Sequence, residues 1–236
     1  PSGSVVLSAS NPNAALEAKD YSLVYSDVNS VEDWIVALED ELVTPFSEGG
    51  YQMEMVTFGS YLGFYNEGSS STEGSNPFYY SQDGIFWNES DLPLNTGDMS
   101  MAESVELNAS LYLVSPNGAA DGGAPLRVAT TSNGAGWTEL SVSLPVSSIY
   151  SPFELEAFAN QIWLFGSSDT GALLLKSSDG ATWDAVATPT WETPADGVET
   201  VSTPERLVVL APLNGVTGIY VWSTTDGSTW TQSSAV

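Results

Sequence analysis

The heptapeptide SSDGATW, residues 177–183, recurs in the chain as SQDGIFW (81–87), TSNGAGW (131–137) and TTDGSTW (224–230). Each copy has a hydroxyl residue first, Asp or Asn third, Gly fourth and Trp seventh, and we call the four copies the box turns. Their tryptophans lie 50, 46 and 47 residues apart, and a stretched copy, SDVNSVEDW (26–34), ends 53 residues before the first of them. A period of this length predicts one supersecondary unit that is stacked repeatedly against its neighbours.

Each box turn has the composition of a tight connection between two strands. The Asp or Asn side chain accepts hydrogen bonds from backbone amides about two residues on, and Gly adopts the left-handed conformation without steric cost. A Trp at the start of the outgoing strand can cover the turn or the adjacent unit, burying roughly 150–250 Å². We therefore predict a structural role for the recurring residues, which are Asp83, Gly84, Trp87, Asn133, Gly134, Trp137, Asp179, Gly180, Trp183, Asp226, Gly227 and Trp230.

The pattern Ser-x-Asp-Gly-x-x-Trp resembles the Asp-box, or BNR-type repeat, of sialidase-like and photosystem-stability-factor-like β-propellers. The resemblance recurs along the whole chain and concerns architecture. It implies that each box turn joins the third and fourth strands of a four-stranded blade. Asn133 and the stretched copy at 26–34 depart from the family pattern. The arginine cluster of a sialidase is also missing, because the two arginines, Arg127 and Arg206, fall at different positions of their repeats.

Alternating apolar runs between the box turns predict the remaining strands. With a period of about 47 residues, the 236-residue chain is predicted to be one all-β propeller domain of about five blades, roughly residues 1–42, 43–92, 93–145, 146–190 and 191–236. Residues 31–42 could form a short helix, but their place in the repeat favours a strand. First strands are predicted at 53–58, 102–107, 153–158 and 198–203. Second strands are predicted at 4–10, 61–66, 111–116, 162–167 and 207–212. Third strands are predicted near 21–26, 78–81, 126–131, 173–177 and 218–224.

The first blade has no predicted inner strand. We expect either that the chain is a segment of a longer polypeptide or that another chain donates this strand, because an unpaired edge invites pairing.

The charge balance restricts the partners. The chain has 30 acidic and four basic residues, for a net charge of −26. Such a surface repels nucleic acid and anionic lipid, and no apolar run approaches the roughly 20 residues of a membrane span. Self-repulsion of this size is relieved by salt or bound cations. These features predict an exported protein in a saline or calcium-rich setting, and sequons at 88–90 and 108–110 are compatible with export.

The composition also restricts the chemistry. The chain has no His and no Cys, so it lacks a Ser-His-Asp arrangement, thiolate chemistry and a zinc-thiolate site. A pair of carboxylates that hydrolyses a glycoside stays possible, because acidic residues are abundant. We nevertheless predict that the chain is not an enzyme.

Two candidate sites remain. Aligning the first strands places Glu54, Glu103, Glu154 and Glu199 at equivalent positions. The propeller resemblance implies that first strands line a central channel, so these side chains could ring one mouth of it and hold Ca²⁺. The alternative is that they point between blades or into solvent.

The second candidate site lies in the loop at 189–197. There Trp191 could stack on a sugar ring while two acidic residues that flank Thr193 bind its hydroxyls, namely Glu192 and Asp196. The alternative role for Trp191 is a plug between blades.

Three functions follow from these observations. The first is a non-enzymatic extracellular module for display, adhesion or assembly on a cell, filament or virion surface, with protein neighbours as partners. The second is a glycan-binding, lectin-like propeller, and the third is an atypical glycosidase.

Overall fold

The structure is a computed structural model that describes residues 6–9, 21–24, 52–67, 76–94, 102–116, 125–147, 149–168, 171–187, 198–212 and 219–233. The chain divides into two compact units, Pro1–Gly50 and Tyr51–Val236. In the first unit, β1 (Val6–Ala9) pairs antiparallel with β2 (Tyr21–Val24), at the places predicted for a second and a third strand. The stretched box copy and the ambiguous segment 31–42 lie outside the described residues.

The second unit contains four antiparallel sheets of four strands each within the described residues. We number them as blades 2 to 5, leaving number 1 for the blade predicted in residues 1–42. Blade 2 contains β3 (Gln52–Phe58), β4 (Tyr61–Glu67), β5 (Asn76–Ser81) and β6 (Asn88–Leu92). Blade 3 contains β7 (Glu103–Leu107), β8 (Ser110–Pro116), β9 (Leu126–Thr131) and β10 (Thr138–Leu140).

Blade 4 contains β11 (Tyr150–Phe158), β12 (Gln161–Ser168), β13 (Gly171–Ser177) and β14 (Asp184–Ala185). Blade 5 contains β15 (Glu199–Thr203), β16 (Arg206–Pro212), β17 (Ile219–Thr224) and β18 (Thr231–Ser233). In every blade each strand pairs with the next one along the chain, which is the up-and-down order of a propeller blade. The prediction of an all-β propeller is confirmed. Among the described residues, no helix is long and apolar enough to cross a membrane.

The first strands of neighbouring blades lie side by side. Strand β11 contacts both β7 and β15, and β3 contacts β7. Two-residue turns connect these strands to the second strands of their blades. In blade 3 the turn residues Asn108 and Ala109 have φ of 53° and 61°, and in blade 4 Ala159 and Asn160 have φ of 52° and 59°. Two successive positive φ values are those of a type I′ hairpin turn.

The core lies between consecutive blades and follows the period of two along each strand. On β12, Ile162 and Leu164 pack toward blade 3, while Trp163 and Phe165 pack toward blade 5. On β8, Leu111 and Leu113 similarly face blade 2. Full burial of such a side chain contributes about 1.5–3 kcal/mol to stability. The strands are therefore apolar on both faces, and each blade is stabilised by the blades on either side.

Candidate functional site

The four box turns share one hydrogen-bond pattern. The backbone N–H of the box glycine donates to the hydroxyl oxygen of the first residue at 2.8–2.9 Å in all four turns. Oδ1 of the third residue accepts from the backbone amides two and three residues further on, at 2.7–3.2 Å. The predicted Asp or Asn contacts therefore form, and Asn133 makes the same pair of bonds as the three aspartates.

These bonds have an electrostatic consequence for the aspartates. The pKa of the Asp179 carboxyl lies below its usual value chiefly because the backbone N–H of Thr182 donates to it. The backbone N–H of Thr229 lowers the pKa of Asp226 in the same way. The N–H of Phe86 does the same to the pKa of Asp83. Because neutral dipoles stabilise these anions, the carboxylates remain ionised without a cationic partner. The neutral Asn133 turn shows that the charge is not needed for the turn itself.

Each described box glycine has the left-handed conformation, with φ between 70° and 75°. In blades 3 to 5 it also lies against an aromatic ring of the preceding blade. A methyl group on Gly134 would be 2.4 Å from Cγ of Tyr80, and one on Gly180 would be 2.8 Å from Cδ1 of Tyr112. A methyl group on Gly227 would be 2.6 Å from Cζ2 of Trp163. The box turn therefore joins one blade to the next.

The aromatic rings under the box glycines were not predicted. Tyr112 and Trp163 each occupy the third paired position after the hairpin turn, on β8 and β12. At that position β4 has Gly63, and the ring comes instead from Tyr80, which is directly opposite Gly63 on β5. An aromatic third residue in the second strand is the sequence signal that could have identified two of the three rings.

The box tryptophans use both of the predicted arrangements. Nε1 of Trp183 donates to the carbonyl oxygen of Gly180 at 2.9 Å, and Trp87 makes the same bond to Gly84 at 3.2 Å. Trp137 instead donates to Oγ of Ser90 on blade 2 at 3.2 Å, and Ser90 Oγ donates to the Gly134 carbonyl at 2.6 Å. In blade 3 a hydroxyl from the neighbouring blade therefore completes the turn.

The ring contacts of two box tryptophans also cross between blades. Trp137 makes an edge contact with Phe78 at 4.9 Å between ring centroids, and Trp230 makes one with Trp163 at 6.5 Å. The side chains of Trp163 and Trp222 are buried in the core.

The first-strand glutamates occupy equivalent register positions. Each lies four residues before the end of its strand, and the cross-strand pairs are Glu54 with Tyr65, Glu103 with Val114, Glu154 with Phe165 and Glu199 with Leu210. Glu54 and Glu199 are exposed, whereas Glu103 and Glu154 are half-buried. Across the described segments, no three Asp or Glu side chains lie close enough together to hold a metal ion. The four glutamates are in register but not gathered into one ligand set, and the calcium site stays a prediction.

Glu154 has the most perturbed environment of these glutamates. Burial, followed by the negative charges of Glu199 and Glu156, raises the pKa of Glu154 to about 7. Glu156 accepts a hydrogen bond from Oγ of Ser202 on blade 5 at 2.8 Å. Three carboxyl groups from two blades therefore interact along the first strands.

The basic residues do not converge. Nε of Arg127 pairs with Oε1 of Glu139 at 2.8 Å, and its Nη2 donates to the Pro93 carbonyl at 3.0 Å, which connects blade 3 to the segment after β6. Nη1 of Arg206 is 3.4 Å from Ser223 Oγ, and Lys176 Nζ lies 5.8 Å from the Trp163 ring centroid. In the part of the chain that the structure describes, no arginine cluster is formed.

A shallow depression of about 390 Å³ lies at the hairpin ends of the first strands. Its lining has no ionisable side chain and comes from three blades, with Leu107, Ala157, Phe158, Ala159, Asn160, Ser202, Thr203 and Pro204. The other predicted binding residues, Trp191, Glu192 and Asp196, lie outside the described residues, so that site stays a prediction.

Comparison with solved structures shows similar folds at low sequence identity. The Hadza microbial sialidase Hz136 is 16% identical with a TM-score of 0.52, and the match covers 78% of this chain and 46% of the sialidase. The family 117 glycoside hydrolase Zg3597 of the marine bacterium Zobellia galactanivorans is 11% identical with a TM-score of 0.49, over 78% and 75% of the two chains. The GH43_1 enzyme from Xanthomonas citri complexed with xylose is 13% identical with a TM-score of 0.48, over 79% and 73%. This chain spans about half the length of the sialidase, and the likeness is one of fold.

No curated protein matches the sequence. A family model does match, and its description is the DUF6242 beta propeller domain. The match extends over residues 90–236, which is more than half of the chain and includes the described strands from β7 to β18. The chain therefore belongs to the DUF6242 beta propeller domain family.

Proposed function

We propose that this chain is a non-enzymatic interaction module that works outside the cell, in display, adhesion or assembly on a cell, filament or virion surface. The observation that carries the proposal is that the recurring side chains are used within the fold. The box oxygens accept backbone amides, and in blades 3 to 5 the box glycines lie on the preceding blade. We infer that these turns are Asp-box repeats of the BNR type and that their role is architectural.

The basic residues support the same proposal. Arg127 is paired with Glu139 and also bonds to the Pro93 carbonyl, so it is committed to joining strands and blades. Arg206 and Lys176 lie on different strands of different blades. Recognition of an anionic substrate depends on converging guanidinium groups, and the described arginines do not provide them.

The net charge of −26 indicates the kind of partner. Repulsion disfavours nucleic acid and anionic membranes, which leaves protein neighbours and surface glycans. A saline exterior would screen the self-repulsion of the chain. Calcium is the one cofactor that we propose to test, through the effect of a chelator on the melting temperature at fixed ionic strength.

The main test combines turnover with association. We expect the purified chain to leave a panel of chromogenic sialosides, xylosides and galactosides intact. We also expect its sedimentation coefficient to rise with protein concentration at high salt, because screening allows acidic surfaces to meet. Hydrolysis of any of these glycosides would contradict the proposal. So would a chain that stays monomeric at every concentration and salt level and binds no protein or glycan.

One observation favours the glycosidase as a second candidate. Glycoside hydrolysis needs one carboxylic acid with a raised pKa and one ionised carboxylate. Burial and then the negative charge of Glu199 raise the pKa of Glu154 to about 7. If the candidate is right, the panel shows turnover in the native chain and loses it in both Glu154→Gln and Glu199→Gln. A glycan array hit that Trp191→Ala abolishes, without turnover, would instead favour a lectin.

A further inference from the structure

The box turn of blade 2 differs from the others at its tip. The two residues after its glycine are Ile85 and Phe86, whose side chains are 54% and 75% exposed. At the same two positions the other box turns have small or polar residues, which are Ala135 with Gly136, Ala181 with Thr182, and Ser228 with Thr229. We call residues 85 and 86 the 85–86 tip.

The fold does not require apolar side chains at this tip. The backbone N–H groups of Ile85 and Phe86 each donate to Asp83 Oδ1 at 2.9 Å, as the equivalent amides do in the other turns. The equivalent side-chain positions are also exposed in the other turns, apart from a half-buried Ala181. Both tip positions are therefore exposed in three of the four turns, and small residues are sufficient to build the turn. A large exposed apolar pair in a rigid turn indicates an interaction surface.

The surroundings of the tip define the chemistry of its partner. Asp83 lies in the same turn, and Glu89 and Asp91 are exposed on β6, which follows the turn. The nearest basic residue in the sequence is Arg127, which pairs with Glu139. An acidic setting in the turn and on the strand that follows it favours a partner with the opposite charge. It disfavours an anionic lipid surface and, at moderate salt where a net charge of −26 is not fully screened, a second copy of this chain at this tip.

We propose that Ile85 and Phe86 form a docking surface for a protein partner that presents an apolar patch bordered by Lys or Arg. This proposal rests on the proposed function and names the surface and the kind of partner. Burial of the Phe86 ring supplies most of the contact area, because aromatic anchors dominate interface energetics. Asp83, Glu89 and Asp91 supply the complementary charge.

The test uses the whole chain and the double variant Ile85→Ser/Phe86→Thr, which gives the blade 2 turn the tip residues of blade 5. The probe is a fluorescent amphipathic helical peptide made of leucine and lysine, followed by anisotropy at about 0.15 M salt. We expect the double variant to bind at least about tenfold more weakly than the native chain, since burial of an apolar side chain accounts for such a difference. The control is Val201→Ser, which removes a side chain on β15 that is 53% exposed and should leave binding unchanged.

The outcomes separate the two proposals. The docking proposal for the 85–86 tip is overturned if the native chain and a folded double variant bind the peptide equally, or if the native chain does not bind it. Either result leaves the proposed interaction function standing. If the native chain binds phosphatidylcholine vesicles and the double variant does not, the tip binds lipid. That result would overturn the proposal of a protein partner. Glycoside turnover by both chains would instead overturn the proposed function. A matching melting temperature confirms that the variant is folded.

Discussion

Two glycines of the blade 3 box turn, Gly134 and Gly136, should respond very differently to substitution by alanine. Gly134 has φ of +75°, and its added methyl group would be 2.4 Å from Cγ and 2.6 Å from Cβ of Tyr80. A left-handed alanine costs about 1–2 kcal/mol, and forced overpacking costs about 1–3 kcal/mol. The smaller entropy of the unfolded chain offsets about 0.4–1 kcal/mol. We therefore expect Gly134→Ala to lower the free energy of unfolding by about 3 kcal/mol.

Gly136 is the matched control in the same turn. A methyl group there would meet no heavy atom within 4 Å, and its φ lies outside the left-handed region. Gly136→Ala should change the free energy of unfolding by less than about 0.5 kcal/mol, or raise it slightly through the unfolded chain. The measurement is the urea midpoint followed by tryptophan fluorescence, with the slope against urea unchanged.

The ring of Tyr80 can be tested by a double-mutant cycle. In a Tyr80→Ala background the steric part of the Gly134→Ala penalty disappears, and the part due to φ remains. We expect a coupling energy of about 1–2 kcal/mol between the two substitutions. The reasoning is refuted if Gly134→Ala costs less than about 1 kcal/mol, if Gly136→Ala costs as much, or if the two substitutions are additive.

Three further predictions test the charges, and the third includes a control substitution. The pKa of Glu154 is about 7 in the folded chain and near 4.5 in the unfolded chain, so the folded state binds the extra proton and stability falls as pH rises from 4.5 to 7. Glu154→Gln should therefore stabilise the chain relative to the native protein more at pH 8 than at pH 4.5, by about 1–2 kcal/mol after solvent screening. An equal effect at both pH values would contradict this prediction. The lowered pKa of Asp179 gives stability that is present above the unfolded value of 3.8 and is lost as pH falls through the lower folded value. Asp179→Asn should keep the turn, as in the Asn133 turn, and should make the melting temperature depend less on pH below about pH 4. Unfolding of this variant at about pH 7 would show that the charge is required. Arg127→Met should cost about 1–2 kcal/mol in thermal melts because it leaves the Pro93 carbonyl without its donor. Arg206→Met loses a 3.4 Å contact to Ser223 Oγ and should change stability by less than about 0.5 kcal/mol.

The local structure was predictable because it depends on neighbouring residues. The third strand predicted at 126–131 coincides with β9, and the first strand predicted at 53–58 differs from β3 by one residue. The left-handed glycines and the amides bound by the third residue also follow from rules that act within four residues. Period-two alternation and turn chemistry agreed in each repeat, which is why strand positions could be assigned from one sequence.

The residues that meet between blades were not predictable, because these contacts depend on residues far apart in the chain. Ser90 bridges Trp137 and the Gly134 carbonyl from another blade. The ring under Gly134 comes from β5, whereas the equivalent rings come from β8 and β12, so no fixed sequence offset locates it. The pKa of Glu154 likewise depends on Glu199, 45 positions along the chain.

In a repeat protein, the positions that the fold requires and the positions that a ligand requires can be separated by comparing the copies. The box oxygens and glycines keep the same bonds in every described copy, including the uncharged Asn133 turn, so variation there would act on stability. The two tip positions are held by the same amide bonds in each turn, so the fold accepts Gly136, Thr182 or Phe86 at one of them. An exposed phenylalanine at such a position costs solubility without strengthening the turn. A role in binding is therefore the simplest reason for a phenylalanine at this position, and the 85–86 tip is where a partner should be sought first.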